Sequence, residues 1–190
     1  GQLHNGESDD LYYPGKVTSG VVSIALGEHH SLMLKSNGYV SSVGAGISGE
    51  LFSVTSSIVS KPDYVMNNTF AFSAGKDHAA AIDNKGNLFT WGNNDKGQLG
   101  LGDYNMRSTP TKVDIDGDAS NVWCGNKVTI VQMADGKVYG FGDNSNYLLG
   151  QKTRTDIVSK PTENTYLSGT TIDKIEFQDD FAIALITGQV

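Results

Sequence analysis

Four prolines, at positions 14, 62, 110 and 161, are all that the chain contains, and they fall 48, 48 and 51 residues apart. Other columns keep the same step. Leu3, Leu51, Leu99 and Leu149 lie 48, 48 and 50 apart, and Gly38, Gly86, Gly136 and Gly188 close SNG, NKG, ADG and ITG. His30 and His78 share a column; Val43, Trp91 and Phe141 share another. A chain built this way repeats one supersecondary unit that cannot bury its apolar face alone, so neighbouring units must stack. The repeat frame gives one domain over 1–190: the end of a preceding unit at 1–6, full units at 7–54, 55–102 and 103–152, and a partial unit at 153–190.

Each unit reads as short strands. Ala79–Ile82 leads through a DNKG turn into Asn87–Trp91, and apolar runs of this length bounded by Gly, Asn and Asp are hairpin signals. The turn glycines Gly38, Gly86 and Gly136 are expected to hold a positive φ. No apolar stripe of helical period persists for ten residues or more. The chain holds 23 glycines in 190 residues, which suits tight turns. An all-β chain with units near 50 residues predicts propeller blades of four antiparallel strands.

The stretch WGNNDKGQLGLGD, Trp91 to Asp103, carries the strongest signature. With Gly75, His78, Gly86, Trp91, Gly92, Asn94, Gly97, Gln98, Leu99, Gly100, Gly102, Pro110 and Val113, the second unit resembles the repeat of the regulator of chromosome condensation family. Gly27, His30, Ser31, Leu34, Gly38 and Gly49 match in the first unit, with Val43 for the tryptophan; the third is degenerate, with Val128 for the histidine. The resemblance implies a β-propeller, a ring of about seven such blades in that family. Three full units and a partial fourth imply part of a larger ring. An open stack leaves apolar flanks, so self-association or completion by flanking repeats is expected.

Familiar chemistry is absent from the sequence. Gly44–Gly49 satisfies the dinucleotide fingerprint, but no helical period follows it, and it is the first unit's copy of the repeat turn. Asp114–Asp118 resembles part of a calcium loop, yet Ala119 and Gly125 stand where an EF-hand needs glycine and an acid. His30 and His78 occupy one column, hence separate blades, and Cys124 is the lone cysteine, so no zinc set forms. Trp91 and Trp123 read as core residues. No catalytic, cofactor or metal residues are assigned.

Net charge is −7 with no basic cluster, which argues against nucleic acid, and the longest apolar run, Phe181–Ile186, is too short to span a membrane as a helix. A non-enzymatic protein-binding or scaffold module is the leading expectation. Its candidate partner-binding residues are Tyr12, Tyr13, Tyr104 and Arg107, types favoured at interface hot spots. Gly38, Gly86, Trp91, Gly92, Gly97, Leu99 and Gly136 are expected to serve the architecture. A structural part of a larger assembly is one alternative. Guanine-nucleotide exchange on a small GTPase, implied by the resemblance, is the other, although no inserted β-wedge interrupts the units.

Overall fold

The computed structural model describes residues 2–3, 12, 18–45, 49, 51, 58–150, 155–179 and 181–189. The first sheet holds β1 (Val21–Leu26), β2 (His30–Lys35), β3 (Val40–Ala45) and β4 (Ile58–Met66). The second holds β5 (Thr69–Ala74), β6 (His78–Asp83), β7 (Leu88–Gly92) and β8 (Arg107–Lys112). The third holds β9 (Ala119–Cys124), β10 (Val128–Met133), β11 (Val138–Asp143) and β12 (Ile157–Glu163), and β13 (Thr170–Phe177) pairs with β14 (Ala182–Gln189). Every pairing is between chain neighbours and antiparallel. No helix occurs among the described residues. The molecule is all-β: the described residues form three four-stranded propeller blades and one two-stranded sheet.

Successive sheets meet through their first strands: β1 lies against β5, β5 against β9 and β9 against β13. The fourth strands are outermost. Pro62, Pro110 and Pro161 all sit in them, on edges where a missing N–H costs no ladder bond. Positions 54, 102 and 152 of the repeat frame fall between third and fourth strands. One period of sequence therefore supplies the last strand of one sheet and the first three of the next.

The columns read from the sequence recur in space. Leu51, Leu99 and Leu149 are fully buried, as are Val43, Trp91 and Phe141, whereas Leu3 is 45% exposed. Leu32, Val40, Ala79 and Trp91 belong to a cluster between the first and second sheets. Leu88, Val128, Phe141 and Ile175 belong to a larger one that runs on to β13. Burying an aromatic or aliphatic side chain of this size stabilises by roughly 1.5–3 kcal/mol, so the joints between sheets carry much of the stability.

Polar pegs fix those joints. His78 is fully buried, and its Nε2 lies 2.9 Å from Thr129 Oγ1 across the boundary between blades. The Thr129 hydroxyl in turn donates to the Gln98 carbonyl at 2.8 Å. That leaves the hydroxyl oxygen to accept, which assigns the ring proton to Nε2. In the preceding blade Ala79 occupies the column of Thr129, and neither ring nitrogen of His30 meets a partner among the described residues. The missing hydroxyl explains the orphaned ring. Burial, then the neighbouring His29, lowers the His30 pKa to about 4. Burial, then His30, lowers that of His78 to about 3.

Thr129→Val should destabilise by about 1–3 kcal/mol in thermal or denaturant melts, since it leaves His78 Nε2 and the Gln98 carbonyl buried and unpaired. Thr129→Ser should recover most of the loss. Both histidines are neutral in the fold but take up protons in the unfolded chain near the ordinary value of 6.5. Their contribution is therefore complete above that pH. It is lost as pH falls toward about 4 for His30 and about 3 for His78. The melting temperature should drop along this range, and His30→Leu, which orphans no partner, should make the drop shallower.

Candidate partner-binding surface

In a sheet of order one to four, the connections from first to second and from third to fourth strand emerge at the same end. That end carries the glycine-rich stretch and the loops that follow it. The turn is held from within: Leu99 N–H donates to Asn94 Oδ1 at 3.0 Å and Lys96 N–H to Gln98 Oε1 at 2.8 Å. The same clasp recurs a blade later, where Leu149 N–H donates to Asn144 Oδ1 at 3.2 Å. Gly97 has φ +73°, and a Cβ there would stand 2.7 Å from the Cα of Ser159 in β12. Gly102 N–H donates to the Ser159 carbonyl at 2.8 Å. The turn is a plug seated in the next blade, and its glycines serve close backbone approach.

Beyond the plug, Asn94 Nδ2 donates to the Asp103 carbonyl at 2.9 Å. Arg107, at the start of β8, bonds Asp103 Oδ2 at 2.6 Å and the Asn105 carbonyl at 2.7 Å. This Arg107 bond, with a further one from the Asn105 backbone, holds the Asp103 carboxyl below its ordinary pKa. The guanidinium shapes the loop, and the loop turns Tyr104 and Met106 outward at 56% and 51% exposure. Tyr12 is 93% exposed; Tyr13 lies outside the described residues. Gly38, Gly86 and Gly136 close hairpins at the opposite end of the sheets with φ of +79°, +78° and +86°. Gly92, at φ +100°, leaves room for the chain at Asp77–His78.

Sequence reasoning did not single out the inner rim. The ends of β1, β5, β9 and β13 line a groove of about 750 Å³ that includes Glu28, Lys76, Asn126 and Asp179. Lys76 Nζ lies 3.2 Å from Glu28 Oε2, and Asn126 Nδ2 donates to Asp179 Oδ1 at 3.1 Å. Further out, Lys127 bonds Asp95 Oδ2 at 2.9 Å. The signal was present: Glu28, Lys76 and Asn126 directly follow the column of Gly27, Gly75 and Gly125, and their chemistry changes from blade to blade within a fixed frame. Cys124 also lines the groove, but burial raises its thiol to about 12, so it is not a thiolate nucleophile. Among the described residues no group of three metal-ligating side chains forms.

The signature described as Regulator of chromosome condensation (RCC1) repeat matches residues 85–132 and 135–185, and a second form of it matches 71–98. The chain belongs to the RCC1 repeat family. Protein RCC2 homolog of Xenopus laevis is 34% identical over 110 residues, which are 57% of this chain and 21% of that protein. Probable E3 ubiquitin-protein ligase HERC6 of Homo sapiens is 32% identical over 137 residues, 68% of this chain and 13% of that protein. The crystal structure of yeast RCC1 (Prp20) with Kap60 bound superposes with a TM-score of 0.80 at 20% identity, over 97% of this chain and 48% of that one. The chain thus spans about a fifth or less of these two relatives and about half of the solved RCC1 propeller.

In this family frame Gly97→Ala should destabilise by more than about 1 kcal/mol, because a left-handed residue gains a Cβ that the next blade's backbone obstructs. Denaturant midpoints of the variant and the parent chain measure it.

Proposed function

We propose that the chain works as a non-enzymatic protein-binding module. Its recognition face is the end of the propeller that carries the third-to-fourth-strand loops and the inner-rim turns. One observation carries this reading: the Asn94–Asp103–Arg107 clasp fixes the loop that exposes Tyr104 and Met106. A preorganised loop binds with less ordering entropy to lose, and exposed tyrosine suits an interface anchor. Yeast RCC1 (Prp20) has been solved bound to Kap60, which supports a protein as the class of partner. The ligase activity in the name HERC6 belongs to a protein of which this chain matches 13%.

Affinity capture compared between the parent chain and a Tyr104→Ala, Met106→Ala variant tests the face. The captured proteins should be lost, or bound at least tenfold more weakly, while the melting temperature stays within the shift of a surface substitution. An unchanged set would place recognition elsewhere. Accelerated nucleotide release from any member of a panel of small GTPases would favour exchange activity instead.

A further inference from the structure

The three four-stranded blades share one irregularity in their outermost strands. Gly44 pairs with Val59 and Ser42 with Asp63; Gly92 pairs with Arg107 and Thr90 with Thr111; Gly142 pairs with Val158 and Gly140 with Thr162. In each blade three residues of the fourth strand thus stand opposite one of the third and fall out of the ladder. They are Ser60–Pro62, Ser108–Pro110 and Ser159–Pro161.

The residue before the proline is where these bulges differ. Lys61 and Lys160 hold that place in the first and third blades, and Thr109 holds it in the second. Thr109-Pro110 is the only pairing of a hydroxyl residue with a following proline in the chain. Lys160 is exposed, so the position carries a long charged side chain without burying it. Thr109 and Lys112 are the two exposed residues of β8. The Thr111 hydroxyl donates to the Thr109 carbonyl at 3.0 Å, a bond within the strand itself.

We propose that Thr109 is a phosphorylation site for a proline-directed protein kinase. A bulge on an outer edge offers main chain that no ladder holds, and a kinase cleft can take it as an extended segment. Pro110 brings no N–H into the cleft to be left unpaired. Lys112, three residues beyond the acceptor, supplies a cation for an anionic site on the enzyme. The Thr109 Oγ1 attacks the γ-phosphorus of ATP. Its bond to phosphorus forms as the bond from the β,γ-bridging oxygen breaks; ADP leaves, and the hydroxyl proton passes to a carboxylate of the kinase. The product holds a charge of about −1.5 to −2 at pH 7, in the column where both other blades carry a lysine. Modification therefore sets the second blade's outer rim apart from its neighbours by sign of charge.

The test incubates the full chain with ATP and a purified cyclin-dependent kinase, an enzyme that is proline-directed and selects a base three residues on. A synthetic peptide of residues 104–115, YNMRSTPTKVDI, serves as the unfolded reference, and the site is mapped by fragmentation mass spectrometry. One phosphoryl group per chain is expected, on Thr109. Thr109→Ala should abolish incorporation and Thr109→Ser should retain it, with melting temperatures that show both variants folded. Pro110→Ala and Lys112→Ala should each lower kcat/KM at least tenfold. No incorporation into the folded chain, whether or not the peptide is phosphorylated, would overturn the proposal. So would incorporation at Ser108 or Thr111 instead, or an undiminished rate for Pro110→Ala.

Discussion

The plug at Gly97–Gly102 is the contact on which the rest of the molecule depends. It leaves one sheet, reaches the next, and meets three of its strands: the Thr129 hydroxyl of β10, the Phe141 ring of β11 and the Ser159 backbone of β12. A sheet with one apolar face and no partner is not stable in water. The plug settles which partner it takes and at what register. Glycine is required here for a steric reason, since the facing atoms include main chain that cannot swing aside.

The same contact shapes the face proposed for recognition. Asn94 holds the plug by accepting from Leu99 N–H and holds the outer loop by donating to Asp103. Loop shape and blade stacking thus share one side chain. Charge is used locally: Arg107 with Asp103, Lys127 with Asp95 and Lys76 with Glu28 are pairs at or near the surface. Each contributes little to stability. Their role is to position groups, and among the described residues no carboxylate, lysine or arginine is buried.

Much of the architecture was legible because repetition amplifies weak signals. A single leucine says little about burial, but Leu51, Leu99 and Leu149 in one column all proved buried. The β-propeller followed from the same columns. The fourth strands were harder to see. β8, RSTPTK, carries one proline and no run of apolar residues, because an outer edge strand has little to bury and its pairing is set by the neighbour. The clasp of Arg107 was also hidden, since it needs Asn94 to bring Asp103 into place. His30 and His78 look alike in sequence, yet among the described residues only His78 finds a hydroxyl. The difference lies 51 residues further on, at Thr129.

The offset between repeat and sheet bears on how such a chain can grow or be cut. Were each repeat a whole sheet, a duplication or a protease nick between repeats would leave two finished bodies touching only through side chains. In the frame read from the sequence the boundary falls inside a sheet, between third and fourth strands. An added or deleted period hands its third strand a fourth strand of the same pattern, so no inner edge is left bare. A nick in the loop at 93–106 leaves its two pieces still hydrogen-bonded, β7 to β8, along a shared ladder. Main-chain bonding thus spans the seam between one repeat and the next in that frame.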